Sequence, residues 1–249
     1  MKQLIISILI LSFSISTTSA QSLKAEADSA YINKEYTKAI ELYESLLLQG
    51  VSGEVYYNLG NSYFKQNELG KAILNYERAL LLQPGNSDTN ANLDIARAKT
   101  VDKVNPNPEV FFVAWTRALI NTLTVDVWGY CGVVFFLFLL VSLSVYFFST
   151  NIQMRKIGFL VAIISFILCI TTNLFAIEQK NKLDTRLDAI VLSPSITVRS
   201  TPSDEGTSLF VIHEGRKVRI KDNSMKEWKE IQLEDGKVGW IPVHAIEII

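Results

Sequence analysis

The stretch YYNLGNSYFKQNELGKAILNYERALLLQP, Tyr56 to Pro84, decides how the N-terminal part of this chain is built. Large side chains at Tyr56, Leu59 and Tyr63 recur at helical spacing and form one stripe. Gly60 and Ala72 are small where two antiparallel helices would cross closely, and Pro84 ends the second helix because it lacks an N–H to donate. Tyr76 and Ala79 complete the pattern.

Working outward, the same pattern recurs. Ala39 and Tyr43 precede Ala72 and Tyr76 by about one repeat length, and Ala27 and Ala30 occupy the small and aromatic sites of an earlier first helix. Asn92 and Leu93 repeat Asn58 and Leu59 about 34 residues further on. The offsets of Tyr56, Leu59, Gly60, Tyr63, Ala72, Tyr76, Ala79 and Pro84 resemble those of a tetratricopeptide repeat. The expectation is an all-α tetratricopeptide repeat array of two repeats plus a capping helix over residues 21–103. Repeats bury their apolar faces on neighbours, so this is close to the smallest array that could stand alone. Such an array exposes a groove lined by the first helix of each repeat. Asp28, Tyr31 and Ile32, then Tyr57, Asn61, Phe64 and Lys65, would there meet a peptide or partner segment, with Asn61 and Lys65 as polar contacts. The carboxylates Glu41, Glu44 and Glu77 read as solvated helix faces.

Residues 1–20 carry one lysine, an apolar core and small residues at Ser19 and Ala20, the pattern of a secretory signal peptide. Pro106 and Pro108 mark a short, stiff tether within a linker and interfacial segment, 104–126, in which Phe111, Phe112, Trp115 and Leu119 fall near one helical face. Two uncharged runs, 127–148 and 157–177, each suit a bilayer core of about 30 Å. Together they predict a two-helix transmembrane hairpin whose tip, STNIQMRK (149–156), is cytoplasmic once the signal peptide has exported the chain before it. Arg155 and Lys156 agree with that orientation, whereas a raw count including Arg117, Lys180, Lys182 and Arg186 favours the reverse. Trp128 and Tyr130 would anchor one end at headgroup level. Asn173, the one amide within the runs, falls level with Gly129 and Gly132.

After a charged linker, 178–188, the composition changes. Residues 189–249 alternate as strands punctuated by turn signals. Val218 and Ile220 point one way and Lys217, Arg219 and Lys221 the other, so that the basic run reads as a solvated strand face. VRSTPS, HEGRKVRI, Trp228 and DGKVGWIP together resemble an all-β bacterial SH3-type barrel. The resemblance implies extended peptides or cell-wall fragments as ligands, with Phe210, His213, Trp228 and Trp240 as the candidate contacts.

The fold class expected is therefore a multidomain membrane protein. A net charge of −1 leaves no basic face for nucleic acid, and Cys131 and Cys169 lie inside the apolar runs, away from His213 and His244, so no metal cluster or cofactor is implied. Neither exported domain offers a nucleophile–histidine pair or paired carboxylates, and a non-enzyme is expected. The order of segments, including LTVDVWGYCG at the start of the first apolar run, resembles the BatE-like proteins of the Bacteroides aerotolerance (Bat) operon. That resemblance implies an inner-membrane, periplasm-facing accessory protein in stress tolerance or envelope assembly. Its partners would be von Willebrand A-domain membrane proteins, with peptidoglycan as the alternative ligand.

Overall fold

A computed structural model describes residues 21–103 and 110–249. The expected signal peptide and the prolines of the tether lie outside the described residues. The chain divides into two compact units. One contains the repeats and the C-terminal strands; the other contains the apolar helices.

In the first unit, helix α1 (residues 21–32) and α2 (Tyr36–Gln49) form one hairpin, α3 (Gly53–Lys65) and α4 (Leu69–Leu82) the next, and α5 (Ser87–Lys99) caps them. The two hairpins turn alike. Lys34 (φ 66°) and Asn67 (φ 63°) take left-handed backbone at equivalent places, and Glu35 and Glu68 donate their N–H groups to Ala30 and Tyr63. Gly60 is required by the crossing, because a Cβ there would lie 2.7 Å from the Tyr76 ring. Tyr43, Tyr76, Ala39 and Ala72 are all at most 1% exposed in the core these helices share.

The C-terminal segment forms a seven-stranded antiparallel sheet in the order β3-β2-β6-β5-β4-β1-β7. Its strands are β1 (Asp188–Val191), β2 (Ser195–Arg199), β3 (Ser208–His213), β4 (Lys217–Asp222), β5 (Trp228–Gln232), β6 (Val238–Pro242) and β7 (Ile246–Ile248). Val198, Ile212, Val218, Ile220, Ile231 and Ile241 form the core on one face.

The expected boundaries give the repeats and the strands separate domains; in the structure the two share one compact unit. Successive side chains of a strand point to opposite sides. In β1, Ala189 and Val191 enter the core of the sheet while Ile190 enters the core of the repeats, joined there by Ile249 and flanked by Leu192. Fully burying each isoleucine is worth about 1.5–3 kcal/mol. The sheet thus supplies the neighbouring surface that so short a repeat array lacks.

Polar groups tie the same junction. Glu77 on α4, expected to be solvated, is 8% exposed. It accepts from Arg97 of α5 and, at 2.9 Å, from Lys217 of β4, which also lies 3.3 Å from Asp188. Arg78 donates to Glu247 at 2.9 Å and to the Ile248 carbonyl at 2.6 Å. Gly215 (φ +80°) passes so close to α4 that a Cβ would stand 2.7 Å from Ile73 and Thr100. Glu44 is also engaged, accepting from the Tyr63 hydroxyl.

In the second unit, α6 (Phe111–Ile120) precedes two helices long and apolar enough to cross a membrane, α7 (Val125–Phe148) and α8 (Ile152–Thr185). Helix α8 continues to Thr185, so most of the expected linker 178–188 is helical. Gly158 packs where a Cβ would meet the Ser142 carbonyl at 3.0 Å. Asn173 sits against Gly132, with its Nδ2 atom 2.7 Å from where a Cβ would be, but Gly129 faces open space. Trp128 is not a headgroup anchor: it is 8% exposed, donates Nε1–H to the Ile120 carbonyl at 3.0 Å and packs edge-on against Phe175. Gln179 joins it there, donating to the Ile120 and Leu123 carbonyls at 2.6 and 2.7 Å. The Ile120 carbonyl ends α6 without a helical partner, so the buried indole and amide gather on it, and the amide also reaches the Leu123 carbonyl in the bend that follows.

Candidate partner groove and sheet face

The first helices of the repeats, α1, α3 and α5, bring together the groove residues named from sequence, but in different roles. Asp28 accepts from Tyr43 at 2.7 Å, from Asn58 at 3.3 Å and from Lys24 at 3.0 Å, binding α1 to both α2 and α3. Asn61 is a structural hub. Its Oδ1 accepts from the Tyr76 hydroxyl at 2.8 Å and from Asn92 at 2.9 Å, so it joins α3 to α4 and α5. Tyr57 accepts from the same Asn92 at 3.2 Å and lies 6.3 Å from the Tyr76 ring. Tyr31 packs edge-on to Tyr36, and burial pushes its hydroxyl above the ordinary tyrosine range. These side chains are engaged in hydrogen bonds and ring contacts within the repeats.

The groove's accessible chemistry lies elsewhere. Ile32, Lys65 and Lys99 occupy equivalent sites about one repeat apart, and all three are exposed. Lys99 holds its ammonium 4.3 Å from the centre of the Phe64 ring, so α3 and α5 together present a cation over an aromatic face. Ile95, half exposed, adds an apolar contact at the site equivalent to Asn61. Lys99 and Ile95 were missed from sequence because the third helix was read as a cap, although their spacing from Lys65 and Asn61 was visible.

Burial inside the repeats favours neutral tyrosines. Burial, then the bond to Asp28, raises the Tyr43 hydroxyl, and burial, then the bond to Glu44, raises that of Tyr63. At the repeat–sheet junction, burial works to lower the Lys217 ammonium, but Glu77 and Asp188 outweigh it and the net shift is upward. Lys24 is raised by its bond to Glu54 and then to Asp28.

The four sheet residues divide. Phe210 points toward the sheet core, packed on it beside Val198 in register. His213 is held by Asp102, just past α5: both its backbone N–H and its Nδ1 lie 2.8 Å from that carboxylate. It belongs to the junction. Trp228 and Trp240 share the opposite face of the sheet, since Lys229, Ile231, Gly239 and Ile241 between and beside them are buried. Register places Trp240 between Glu230 on β5 and Arg199 on β2, with Trp228 opposite Pro242. An aromatic pair flanked by one acid and one base can stack on a planar or pyranose surface and orient its polar edge.

Residues 53–86 match the tetratricopeptide repeat family. Repeats of this kind generally mediate protein–protein interaction, and the match covers the second hairpin whole. A comparison with curated proteins found no match to this chain.

Proposed function

We propose that this protein is a non-catalytic, membrane-anchored scaffold of the BatE-like type, acting in a Bat-type complex linked to aerotolerance, stress or envelope assembly. Helices α7 and α8 cross the bacterial inner membrane, and the repeats and the SH3-type sheet work in the periplasm. The repeat groove binds a segment of a membrane partner, a von Willebrand A-domain protein being the leading candidate. The observation that carries this reading is the asymmetry of the repeats. One side is occupied by the chain's own sheet through Ile190 and Glu77, while Lys65, Lys99, Ile32 and Ile95 on the other remain exposed. Two lysines beside aromatic and aliphatic side chains suit an extended segment with acidic and apolar residues.

The alternative, a cell-wall-binding module, draws on a separate observation: Trp228 and Trp240 face the same way on the sheet, outside its core. Crosslinking and mass spectrometry of the solubilised membrane complex would separate the two. Lys65→Glu with Lys99→Glu should remove the partner crosslinks while sedimentation with purified wall is unchanged. Retention of those crosslinks, together with loss of wall sedimentation in Trp228→Ala or Trp240→Ala, would reverse the order of the readings.

A further inference from the structure

An open depression of about 310 Å³ lies at the tip of the apolar hairpin, lined by Tyr146, Ile152, Arg155, Lys156 and Phe159. Its composition is unusual for its surroundings. No Asp or Glu occurs between Asp126 and Glu178, and both of those residues stand at the other end of the two helices. Arg155 and Lys156 therefore have no counter-charge on this part of the chain, and among the described residues neither forms an ion pair. Arg155 is nevertheless positioned: its Nε donates to the Tyr146 carbonyl at 3.2 Å, and its guanidinium lies 5.6 Å from the centre of the Tyr146 ring. That leaves its terminal amino groups, the pair that suits a phosphate bidentately, available. Tyr146 in turn packs against Phe159 at 5.6 Å, giving the depression an aromatic wall continuous with the apolar helix surface. The first turn of α8 adds the positive end of its dipole and contains no acid.

We propose that this depression binds the phosphate headgroup of an anionic membrane phospholipid, with Arg155 and Lys156 on the phosphate and Phe159 and Ile152 against the start of the acyl chain. The inference rests on the reading that α7 and α8 cross a membrane, but on neither orientation of the hairpin. At the end of a spanning helix the headgroup layer is where these side chains would sit, and an anionic surface there attracts basic residues.

The test uses the full chain in nanodiscs of phosphatidylcholine with or without phosphatidylglycerol, followed by delipidation and native mass spectrometry. Retained phosphatidylglycerol should exceed phosphatidylcholine on the order of tenfold. The preference should vanish in Arg155→Gln/Lys156→Gln and fall to an intermediate value in Arg155→Lys, which keeps the charge but loses the two-nitrogen fork and the bond to the Tyr146 carbonyl. Equal retention of both lipids, or an unchanged preference in the double variant, would overturn the site. Displacement of the retained lipid by inorganic phosphate would overturn the lipid assignment in favour of a soluble anion. Alkaline carbonate extraction of wild type and variant checks the underlying reading separately: release from the membrane would refute the spanning helices themselves, whatever the lipid count.

Discussion

The two sides of the repeat array are built from the same residue types and have opposite fates. On the α4 side, Glu77, Arg78 and Ile73 meet Lys217, Glu247 and the Gly215 turn, and a carboxylate that resembles a surface residue is buried in a network. On the side of α1, α3 and α5, Lys65 and Lys99 stay exposed. Helical periodicity separates inward from outward positions, but it cannot tell an outward face that meets solvent from one that meets another part of the chain.

The largest way to break this contrast is at Ile190, which is fully buried between the two cores' elements. Ile190→Ala should cost roughly 2–5 kcal/mol, and hydrogen exchange should show α4 losing protection together with the sheet. Protection lost in the sheet alone would mean that the repeats do not depend on it. Next comes Glu77→Ala, which leaves Lys217 and Arg97 facing each other without their shared carboxylate. Because both cations are partly exposed, roughly 2–3 kcal/mol is expected, below the full penalty of a buried pair, and Glu77→Gln should restore part of it in a denaturant melt. Gly215→Ala forces a side chain into left-handed backbone against Ile73 and Thr100 and should destabilise by about 1–3 kcal/mol, lowering the melting temperature without altering the groove.

Alkaline pH sharpens the same comparison. Tyr43, Tyr63, Tyr76 and Lys217 all have hydroxyl or ammonium groups raised in the folded protein above ordinary values of 10.0 and 10.5. The unfolded chain therefore releases these protons first. Their contribution is complete below about pH 10 and is lost as pH rises through the folded values, so stability should fall steadily above pH 10. Tyr43→Phe should shallow that fall in a pH series of melts. The smallest effect on stability belongs to the other side: Lys65→Glu should stay within about 0.5 kcal/mol of wild type while its partner crosslinks weaken.

The place of each candidate in the sequence explains which roles were legible. The stripe at Tyr56, Leu59 and Tyr63, and the small residues Gly60 and Ala72, are local signals, and they specify the hairpin. The fit of Asn173 to Gly132 was legible because helical rise converts residue number into depth. The partner of His213 was not legible, because Asp102 lies 111 residues earlier, across both apolar helices. The same holds for Asn61: its spacing on α3 does not reveal that Tyr76 and Asn92 converge on its oxygen.

By itself the sequence determined the helical repeats, the two long apolar helices and the antiparallel strands, because each follows from a periodicity of a few residues and the backbone geometry that matches it. Only the tertiary structure decided that repeats and sheet share one compact unit. Which carboxylates are buried and which lysines stay free also depended on it. Those outcomes turn on which two faces meet, and the free energy of closing Ile190, Glu77 and His213 onto elements about a hundred residues away in the chain leaves no local period to read.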